Sequence, residues 1–418
     1  MKNLFSIFIF LISFNLSAQF ITIDECHKKA KENYPLIRQY DLIERSKEYT
    51  LSNITKGYFP QFQINAKATY QSDVTSIPIS VPNMDIPKIS KDQYNASIEV
   101  SQILWDGGSI GAQKKIVAVG TEVDKQQLQV NLYAVEMKIN QLFFGILLLD
   151  SQLEQNRIFQ EELNINCSTV ENYIENGIAG ASDLDAVKVE LLNAKQNRIQ
   201  LQSTRQAYMD MLSYMIGEKF NAHTQLIKPD ISKWLLPNGI NRPELQWFEL
   251  QNKMFTLHKD LLKTGYMPKF NFFLQGGIGR PALNMFSRNF DTYYVGGIRL
   301  SWNFGALYTR KNDLQKIDIQ QHIVDSKRET FLYDLQLEIT HQNHDITRLK
   351  EQMQYDDEII ALRKNIKQTA ETKLANGTIT VADWMHEVNR ENIARQTKIL
   401  HEIELMISIY SLKHATNE

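Results

Sequence analysis

The stretch ENGIAGASDLDAV, residues 175–187, and its counterpart ANGTITVADWMHEV, residues 375–388, decide how this chain is organised. Each follows a long proline-free polar segment, and in each an aspartate comes six residues after the glycine of an Asn-Gly pair. Glycine in the left-handed conformation commonly ends a helix, and aspartate is favoured where the next helix begins. Each stretch therefore predicts a turn between two helices. The turn residues are Asn176, Gly177, Asn376 and Gly377, and the predicted N-terminal caps are Asp183 and Asp383.

The chain repeats itself in sequence. KGYFPQFQINA at residues 56–66 matches TGYMPKFNFFL at 264–274, and SQILWDGGSIGAQKK at 101–115 matches RLSWNFGALYTRKND at 299–313. The offsets are 208 residues from Gly57 to Gly265, 197 from Trp105 to Trp302 and 200 from Asn176 to Asn376. A fixed order with nearly constant spacing indicates a tandem duplication. We predict repeat 1 over residues 19–226, a proline-rich linker over 227–243 and repeat 2 over 244–418.

Both repeats carry the same sequence of predicted elements. Repeat 1 is expected to contain a helix at 22–55, strands at 60–71 and 94–105, a long helix at 109–175 and a return helix at 183–217. Repeat 2 is expected to contain a helix at 244–264, strands at 269–279 and 293–304, a long helix at 307–375 and a return helix at 383–413.

The four strands alternate between apolar and polar residues, as in Phe62-Gln63-Ile64. The same rule places Val100 and Leu104 together on one apolar face. A strand of roughly eleven residues tilted by ~45° covers about 25 Å, which is the apolar height of an outer-membrane barrel. A soluble sandwich also alternates but usually has about seven strands. Four strands cannot close a barrel, and an open edge in lipid is costly, so this interpretation requires an oligomer.

Four aromatic residues flank the predicted strands at one level, where a membrane barrel carries its interfacial girdle. They are Tyr58, Trp105, Tyr266 and Trp302. The long helices would each extend about 100 Å at 1.5 Å per residue, and such length calls for coiled-coil packing. The predicted seams are Val130, Tyr133, Met137, Phe144 and Leu148 in repeat 1, and Leu332, Leu335, Ile339, Ile346, Leu349 and Met353 in repeat 2.

The N-terminus and the composition narrow the class of protein. Lys2 followed by an apolar run and the small residue Ala18 predicts a secretory signal over residues 1–18, cleaved after Ala18. Beyond it no uninterrupted apolar run reaches ~18 residues, so no helical membrane span is expected. The near-neutral net charge of −2 makes nucleic acid a poor partner. Cys26 and Cys167 favour neither a disulfide framework nor a metal site.

No nucleophile elbow, phosphate-binding loop or convincing pair of carboxylates occurs in the sequence, and no histidine has metal-ligand spacing. The chain is therefore expected to be neither an enzyme nor dependent on a cofactor or metal.

Taken together, the signal segment, the duplication, the Gly-Tyr-x-Pro strand entry, the Trp-x-x-Gly strand exit and the Asn-Gly turn with its aspartate resemble the TolC family of outer-membrane efflux proteins. The resemblance covers essentially the whole mature chain. It implies an α+β homotrimer in the outer membrane, with four strands per chain in a shared twelve-stranded barrel and a long periplasmic α-helical barrel. It also implies docking through a periplasmic adaptor protein to an inner-membrane pump of the RND or ABC type.

The resemblance places the two turns at a periplasmic tip, where carboxylates of three chains would form an acidic constriction. The matching residues are Asp183 and Asp383. Where relatives often carry a second acidic ring, this chain has His386, and Asp185 is an alternative source of that charge. Leu374 and Ile379 align with positions at which some relatives lock the closed state with Tyr and Arg. The residues alone leave simple helix capping open for both aspartates, and a solvated surface role open for Asp185.

The leading hypothesis is a passive exit duct for drugs, metal ions or proteins. The alternative is a periplasmic coiled-coil scaffold or an adhesion or binding protein whose strands form a soluble β-domain. The sequence does not identify the cargo.

Overall fold

A computed structural model describes residues 20–75, 89–221, 224–231 and 239–417. The predicted signal segment lies outside the described residues, as does part of the predicted linker. The described elements, in chain order, are β1 (Phe20–Ile21), α1 (Ile23–Asn33), a 3₁₀ turn (Pro35–Arg38), α2 (Gln39–Lys56), β2 (Gln61–Tyr70), β3 (Asp92–Trp105), α3 (Ser109–Glu175), α4 (Ala181–Ile216), β4 (Gln225–Leu226), α5 (Pro243–Thr264), β5 (Lys269–Arg280), β6 (Asp291–Ser301), α6 (Ala306–Ala375) and α7 (Val381–Thr416).

The chain divides into two structural units. The helical unit comprises Met1–Ile37, Leu128–Pro243 and Phe331–Glu418, and the sheet unit comprises Arg38–Gln127 and Glu244–Thr330. The helices α3 and α6, with 67 and 70 residues, contribute residues to both units. This division differs from the predicted boundary between repeats, because each repeat supplies part of each unit.

The predicted helix over residues 22–55 is wrong as a single element. It is divided into α1, the 3₁₀ turn and α2. The break falls at Tyr34, which is extended at φ −65° and ψ 130°, and Pro35 follows. Proline lacks an N–H donor, and its ring pushes the preceding residue out of the helical region. The capping box at Thr22 and Glu25 begins α1, since each residue bonds the other's backbone N–H.

The sheet unit contains an antiparallel sheet with the strand order β2-β3-β5-β6. Gln61 pairs with Ser101, Val100 with Leu274 and Phe272 with Ile298, so like faces meet across all four strands. The strands β2 and β6 are its two edges. The predicted strand over 293–304 ends early, at Ser301, because the Asn303 side chain accepts a hydrogen bond from the Gly305 N–H and turns the chain.

A β-bulge alters the predicted face of β3. The register shifts between Ile103 and Trp105, so Trp105, and not Leu104, is paired with Phe270. A bulge inserts one unpaired residue, after which the alternation resumes one position later. Sequence alternation did not predict this bulge, and the tryptophan occupies the pairing position opposite Phe270.

The helical unit is held together by three clusters of buried apolar side chains. The first joins α1, α3, α4 and α7 with the short parallel pair β1–β4, and the third joins α6 to α7. The predicted seam of α3 is too narrow, because Leu132, Val135, Ile139 and Phe143 are also buried. Each fully buried Leu or Phe contributes roughly 1.5–3 kcal/mol. Neighbours on several sides of α3 thus give it a broad buried surface.

One 18-residue window of α3 is long and apolar enough to cross a membrane by length and composition. Polar residues such as Gln141 interrupt every apolar run in this part of the sequence, so counting uninterrupted runs does not reveal this window. Fifty-six per cent of the window is buried inside the protein. Cys26 is buried and Cys167 half-buried, and both are free thiols.

Candidate functional site: helical tips and sheet faces

The two Asn-Gly turns share one backbone geometry. Gly177 has φ +73° and Gly377 has φ +69°. The Gly177 N–H bonds the Ile174 carbonyl at 3.0 Å, and the Ile178 N–H bonds the Tyr173 carbonyl at 2.8 Å. The second turn repeats both bonds, at 2.8 Å from Gly377 to Leu374 and at 3.0 Å from Thr378 to Lys373. These are the two bonds of a Schellman motif, which satisfies the last carbonyls of α3 and α6.

The asparagines of the two turns also act alike. The Asn176 side-chain amide donates to the Asn172 carbonyl at 2.8 Å, and Asn376 donates to the Thr372 carbonyl at 2.8 Å. Each asparagine therefore adds a second hydrogen bond to a carbonyl that its own main-chain N–H also bonds, at 3.2 Å in both turns. The predicted role of the Asn-Gly pair as a helix terminus agrees with this geometry.

The predicted N-cap positions of Asp183 and Asp383 are wrong by three residues. The caps are Gly180 and Thr380, and each aspartate is the third residue of its helix. Asp383 Oδ2 accepts from the Thr380 N–H at 3.1 Å, while the Thr380 hydroxyl oxygen accepts from the Asp383 N–H at 3.1 Å. This reciprocal pair is a capping box. Local sequence did not separate the two positions, because an acidic side chain is favourable throughout the first turn.

The first copy has only half of that capping box. The Gly180 N–H donates to Asp183 Oδ2 at 2.8 Å, but glycine has no side chain to accept from the Asp183 N–H. The hydrogen bonds described for each aspartate thus stay within its own turn. Asp383 is exposed and Asp183 is half-buried.

The electrostatics of the second tip favour a charged Asp383. Hydrogen bonds from the Thr380 hydroxyl and main-chain N–H lower the pKa of the Asp383 carboxyl, and the positive charge of His386 lowers it further. His386 and Asp185 are both exposed. The structure therefore places His386 near the Asp383 carboxylate on α7, and Asp185 in the early part of α4.

A tip cluster of apolar residues packs the two turns together. Its buried members are Phe159, Leu163, Val170, Val187, Leu191, Ala194, Ala370, Leu374, Val381, Trp384, Met385 and Val388. Equivalent positions of the two copies take part, including Ile174 with Leu374 and Ala179 with Ile379. Leu374 is buried and Ile379 partly buried. These two departures from the TolC-family gate pattern serve as apolar packing in this chain.

A buried ion cluster lies on α3, α6 and α7, and the sequence analysis missed it. Lys367 pairs with Glu391 and, at 2.5 Å, with Glu162, while the Arg395 guanidinium donates to Glu391 Oε1 at 2.6 and 3.0 Å. Burial alone would raise the pKa of Glu391, but the bonds from Lys367 and Arg395 outweigh it and lower that pKa. Of these contacts, sequence could predict only the pair of Glu391 and Arg395, which are four residues apart on one helix.

The structure places the four predicted interface aromatics at one end of the sheet. Tyr58 precedes β2, Trp105 ends β3, Tyr266 precedes β5 and Trp302 follows β6. The Trp302 indole N–H donates to the Tyr266 carbonyl at 3.0 Å. Antiparallel order alone brings these strand ends together. Their role at a membrane interface stays a prediction.

The two faces of the sheet differ in chemistry. One face exposes large apolar side chains, which are Phe62, Ile64, Tyr70, Tyr94, Ile98, Phe270, Phe272, Leu274, Ile278, Tyr294, Ile298 and Leu300. Phe62 is 71% exposed and Ile64 78% exposed. The other face carries Gln63, Asn65, Asn95 and Glu99 among its side chains. A contiguous apolar face of this size marks a surface that contacts lipid or another protein.

No group of three or more His, Cys, Asp or Glu side chains that could hold a metal ion occurs among the described residues.

The four-stranded sheet combined with two long helical hairpins is the fold of outer-membrane channels. CusC, whose structures describe changes that accompany folding and transmembrane channel formation, matches with a TM-score of 0.71 and 12% identity over 94% of this chain and 91% of that chain. The outer-membrane channel OprN matches with a TM-score of 0.70 and 14% identity over 94% and 89% of the two chains.

The Campylobacter jejuni CmeC outer membrane channel matches with a TM-score of 0.67 and 12% identity over 94% and 85% of the two chains. No protein-family model matches the chain, and no curated protein matches it in sequence. The structural matches confirm the predicted TolC-like fold of the single chain. At these identities the structural matches establish the fold alone.

Proposed function

We propose that this chain is one protomer of an outer-membrane exit duct, resembling the TolC family, that passively conducts solutes outward. The observation that carries the proposal is the exposed apolar face of the sheet, which alternates with a polar face along every strand. An apolar outer face and a polar inner face are the requirements for a barrel in lipid around a water-filled lumen. An enzymatic activity forms no part of the proposal.

The free edges of the sheet support assembly into a trimer. The strands β2 and β6 end the four-stranded sheet. Each unpaired backbone group in lipid costs several kcal/mol, so these edges require partners. Three copies of four strands give a twelve-stranded closed barrel, in agreement with the TolC-family resemblance. By the same resemblance, the helical unit extends into the periplasm and meets an adaptor protein and an inner-membrane pump of the RND or ABC type.

A detergent experiment tests the duct. The mature chain should require detergent, run as a trimer after cross-linking and form discrete conductance steps in planar bilayers. A chain that stays monodisperse without detergent and forms no channels contradicts the duct and favours the soluble scaffold or binding protein.

The tips are proposed to form an acidic constriction. Asp383 is exposed and held in its charged form by Thr380, and Asp183 occupies the equivalent helix position. Two such carboxylates per chain would place six around a threefold axis. Carboxylates gathered in this way repel one another and attract cations. His386 and Asp185 would modify the charge of the ring.

Isosteric variants separate charge from capping at the tips. Asp183→Asn with Asp383→Asn retains a side-chain oxygen to accept from the cap N–H but removes the charge. We expect block by hexamminecobalt(III), added from the helical side of planar bilayers, to weaken by roughly tenfold, equivalent to about 1.4 kcal/mol. Asp210→Asn, 27 residues further along the same helix than Asp183, is the matched control and should change the block little. Unaltered block in the double variant would leave the aspartates with only their capping role.

A further inference from the structure

Two aromatic rings lie over glycines on the polar face of the sheet, where alternation predicts small or hydrophilic side chains. Tyr293 on β6 is paired with Gly277 on β5, and Phe273 on β5 is paired with Gly297 on β6. A Cβ added to Gly277 would lie 2.9 Å from both Cζ and Oη of Tyr293. A Cβ added to Gly297 would lie 3.4 Å from the Phe273 ring. Each ring therefore covers the bare backbone of the glycine opposite it.

Polar partners hold both rings in this orientation. Tyr293 Oη accepts from the Asn95 amide at 2.8 Å, which ties the ring across β5 to β3. The Arg299 guanidinium lies 4.6 Å from the centroid of the Phe273 ring. Arg299 also lies 3.6 Å from Glu99 and is 55% exposed. The Arg299 cation is thus positioned by an aromatic ring and a carboxylate while its outer side remains accessible.

The polar face of the sheet carries a net positive charge. At the positions that share the parity of Tyr293 and Phe273, the described strands hold the cations Lys67, Lys269 and Arg299 and the carboxylates Glu99 and Asp291. Three cations against two carboxylates leave an excess of one positive charge per chain. The two rings are four residues apart along the strand direction, or about 13 Å at ~3.3 Å per residue. Since Arg299 lies against Phe273, a planar solute can meet that ring and the guanidinium together, while Tyr293 offers a second ring further along the face.

We propose that Phe273 and Arg299 form a solute-contact site for planar aromatic anions on the polar face of the sheet, with Tyr293 as a second stacking surface further along the same face. The site rests on the proposed duct, in which this face lines the lumen. Flat aromatic rings bind planar solutes by stacking, and the guanidinium supplies both a stacking surface and a partner for an acidic group. The first repeat lacks the site, since its polar-face positions on β2 and β3 contain no aromatic residue.

The glycine–ring pairs also stabilise the sheet, because an aromatic ring that covers a strand glycine compensates for the missing side chain. A purely structural role predicts that loss of a ring lowers stability and leaves solute selectivity unchanged. The test therefore measures discrimination between an aromatic anion and its saturated counterpart, which sheet stability does not affect.

The experiment uses the assembled full-length protein in planar bilayers. Naphthalenesulfonate and its decahydro analogue are added from the sheet side, and the dwell time of current block is measured. We expect the aromatic anion to block the unmodified channel roughly tenfold longer than the saturated one. Phe273→Leu and Arg299→Gln should each remove most of this difference and Tyr293→Leu part of it, whereas Tyr293→Phe, which keeps the ring, should preserve it.

Tyr294→Leu is the matched control, because Tyr294 is adjacent on the same strand but belongs to the apolar face and is 80% exposed. Tyr294→Leu should leave the difference in dwell time between the aromatic and the saturated anion unchanged. Equal block by both anions, or an effect of Tyr294→Leu as large as that of Tyr293→Leu, overturns the site while the channel itself stands. Complete absence of conductance by the unmodified protein overturns the duct and the site with it.

Discussion

The Asp383 carboxylate accepts hydrogen bonds from both the main-chain N–H and the hydroxyl of Thr380, at 3.1 and 2.7 Å. Gly180, at the equivalent position of the first copy, offers only its N–H to Asp183. One duplicated turn thus exists in a complete and an incomplete form within a single chain. Comparing the two turns therefore measures what the cap side chain adds to the main-chain hydrogen bond.

Completing the first capping box should stabilise the protein. Gly180 has φ −102° and ψ 165°, which serine adopts without strain, and an added Cβ makes only ordinary contacts. Gly180→Ser should supply an acceptor for the Asp183 N–H and slow hydrogen exchange in the first turn of α4. Thr380→Ala should destabilise α7 by about 1 kcal/mol. Ser182→Ala, exposed in the same turn as Gly180, is the control and should change stability little. Equal changes in stability for all three variants would contradict the capping assignment.

The contribution of Asp383 to stability should depend on pH. Its folded-state pKa is lowered from the ordinary value of 3.8, so the charged form is favoured by folding. The stabilisation is therefore fully present above the unfolded pKa and is lost as pH falls through the folded-state value. Denaturant unfolding of the unmodified chain and of Asp383→Asn should differ at pH 6 and converge in strong acid. A constant difference across this range would contradict the prediction.

The positive-φ glycines of the tips should resist substitution. A Cβ on Gly177 or Gly377 would meet no atom within 4 Å, so the cost of Gly→Ala is conformational and not steric. We expect each substitution to destabilise by about 1 kcal/mol and Gly→Asn to cost less. Gly111 and Gly120 lie inside α3 with similar open space and no positive φ, so alanine there should instead stabilise the protein. Thermal unfolding of the four alanine variants compares the two classes directly.

Breaking the buried ion cluster should be costly. Glu391 is 3% exposed and pairs with Lys367 and Arg395. Glu391→Ala should lower the free energy of unfolding by about 2 kcal/mol, because it removes the bonds to Lys367 and Arg395 and leaves the half-buried Lys367 with Glu162 as its carboxylate partner. Adding Lys367→Met to that variant should recover part of the loss. Arg157→Ala disrupts only the exposed pairs with Glu154 and Glu161 and should change denaturant unfolding little.

The two thiols should differ in reactivity. Burial raises the pKa of the Cys26 thiol to about 12, so its thiolate is scarce near neutral pH. Cys167 is half-buried, and burial raises the pKa of its thiol as well. In the folded protein at pH 8, iodoacetamide should modify Cys167 faster than Cys26, and unfolding should make the two rates similar. Mass spectrometry of the modified peptides measures both rates, and faster modification of Cys26 in the folded protein would contradict its burial.

Local signals made much of the fold readable. The ends of α3 and α6 follow from glycines that adopt positive φ, and the strands follow from strict alternation over ten or more residues. The grouping of Trp105 and Trp302 at one end of the sheet follows from antiparallel order. Errors arose where neighbouring positions are nearly equivalent in free energy, as with the first-turn placement of Asp183 and Asp383. The division at Pro35 was a missed local signal.

Sequence by itself therefore determined the duplication, the helix ends and the alternation of the strands, because each depends on residues close together along the chain. Only the tertiary structure decided which side chains meet across large separations. Lys367 reaches Glu162, 205 residues away, and Asn95 holds Tyr293, 198 residues away. The bulge that places Trp105 opposite Phe270 likewise depends on the pairing of two distant strands. Such contacts depend on packing and register, which short-range propensities do not encode.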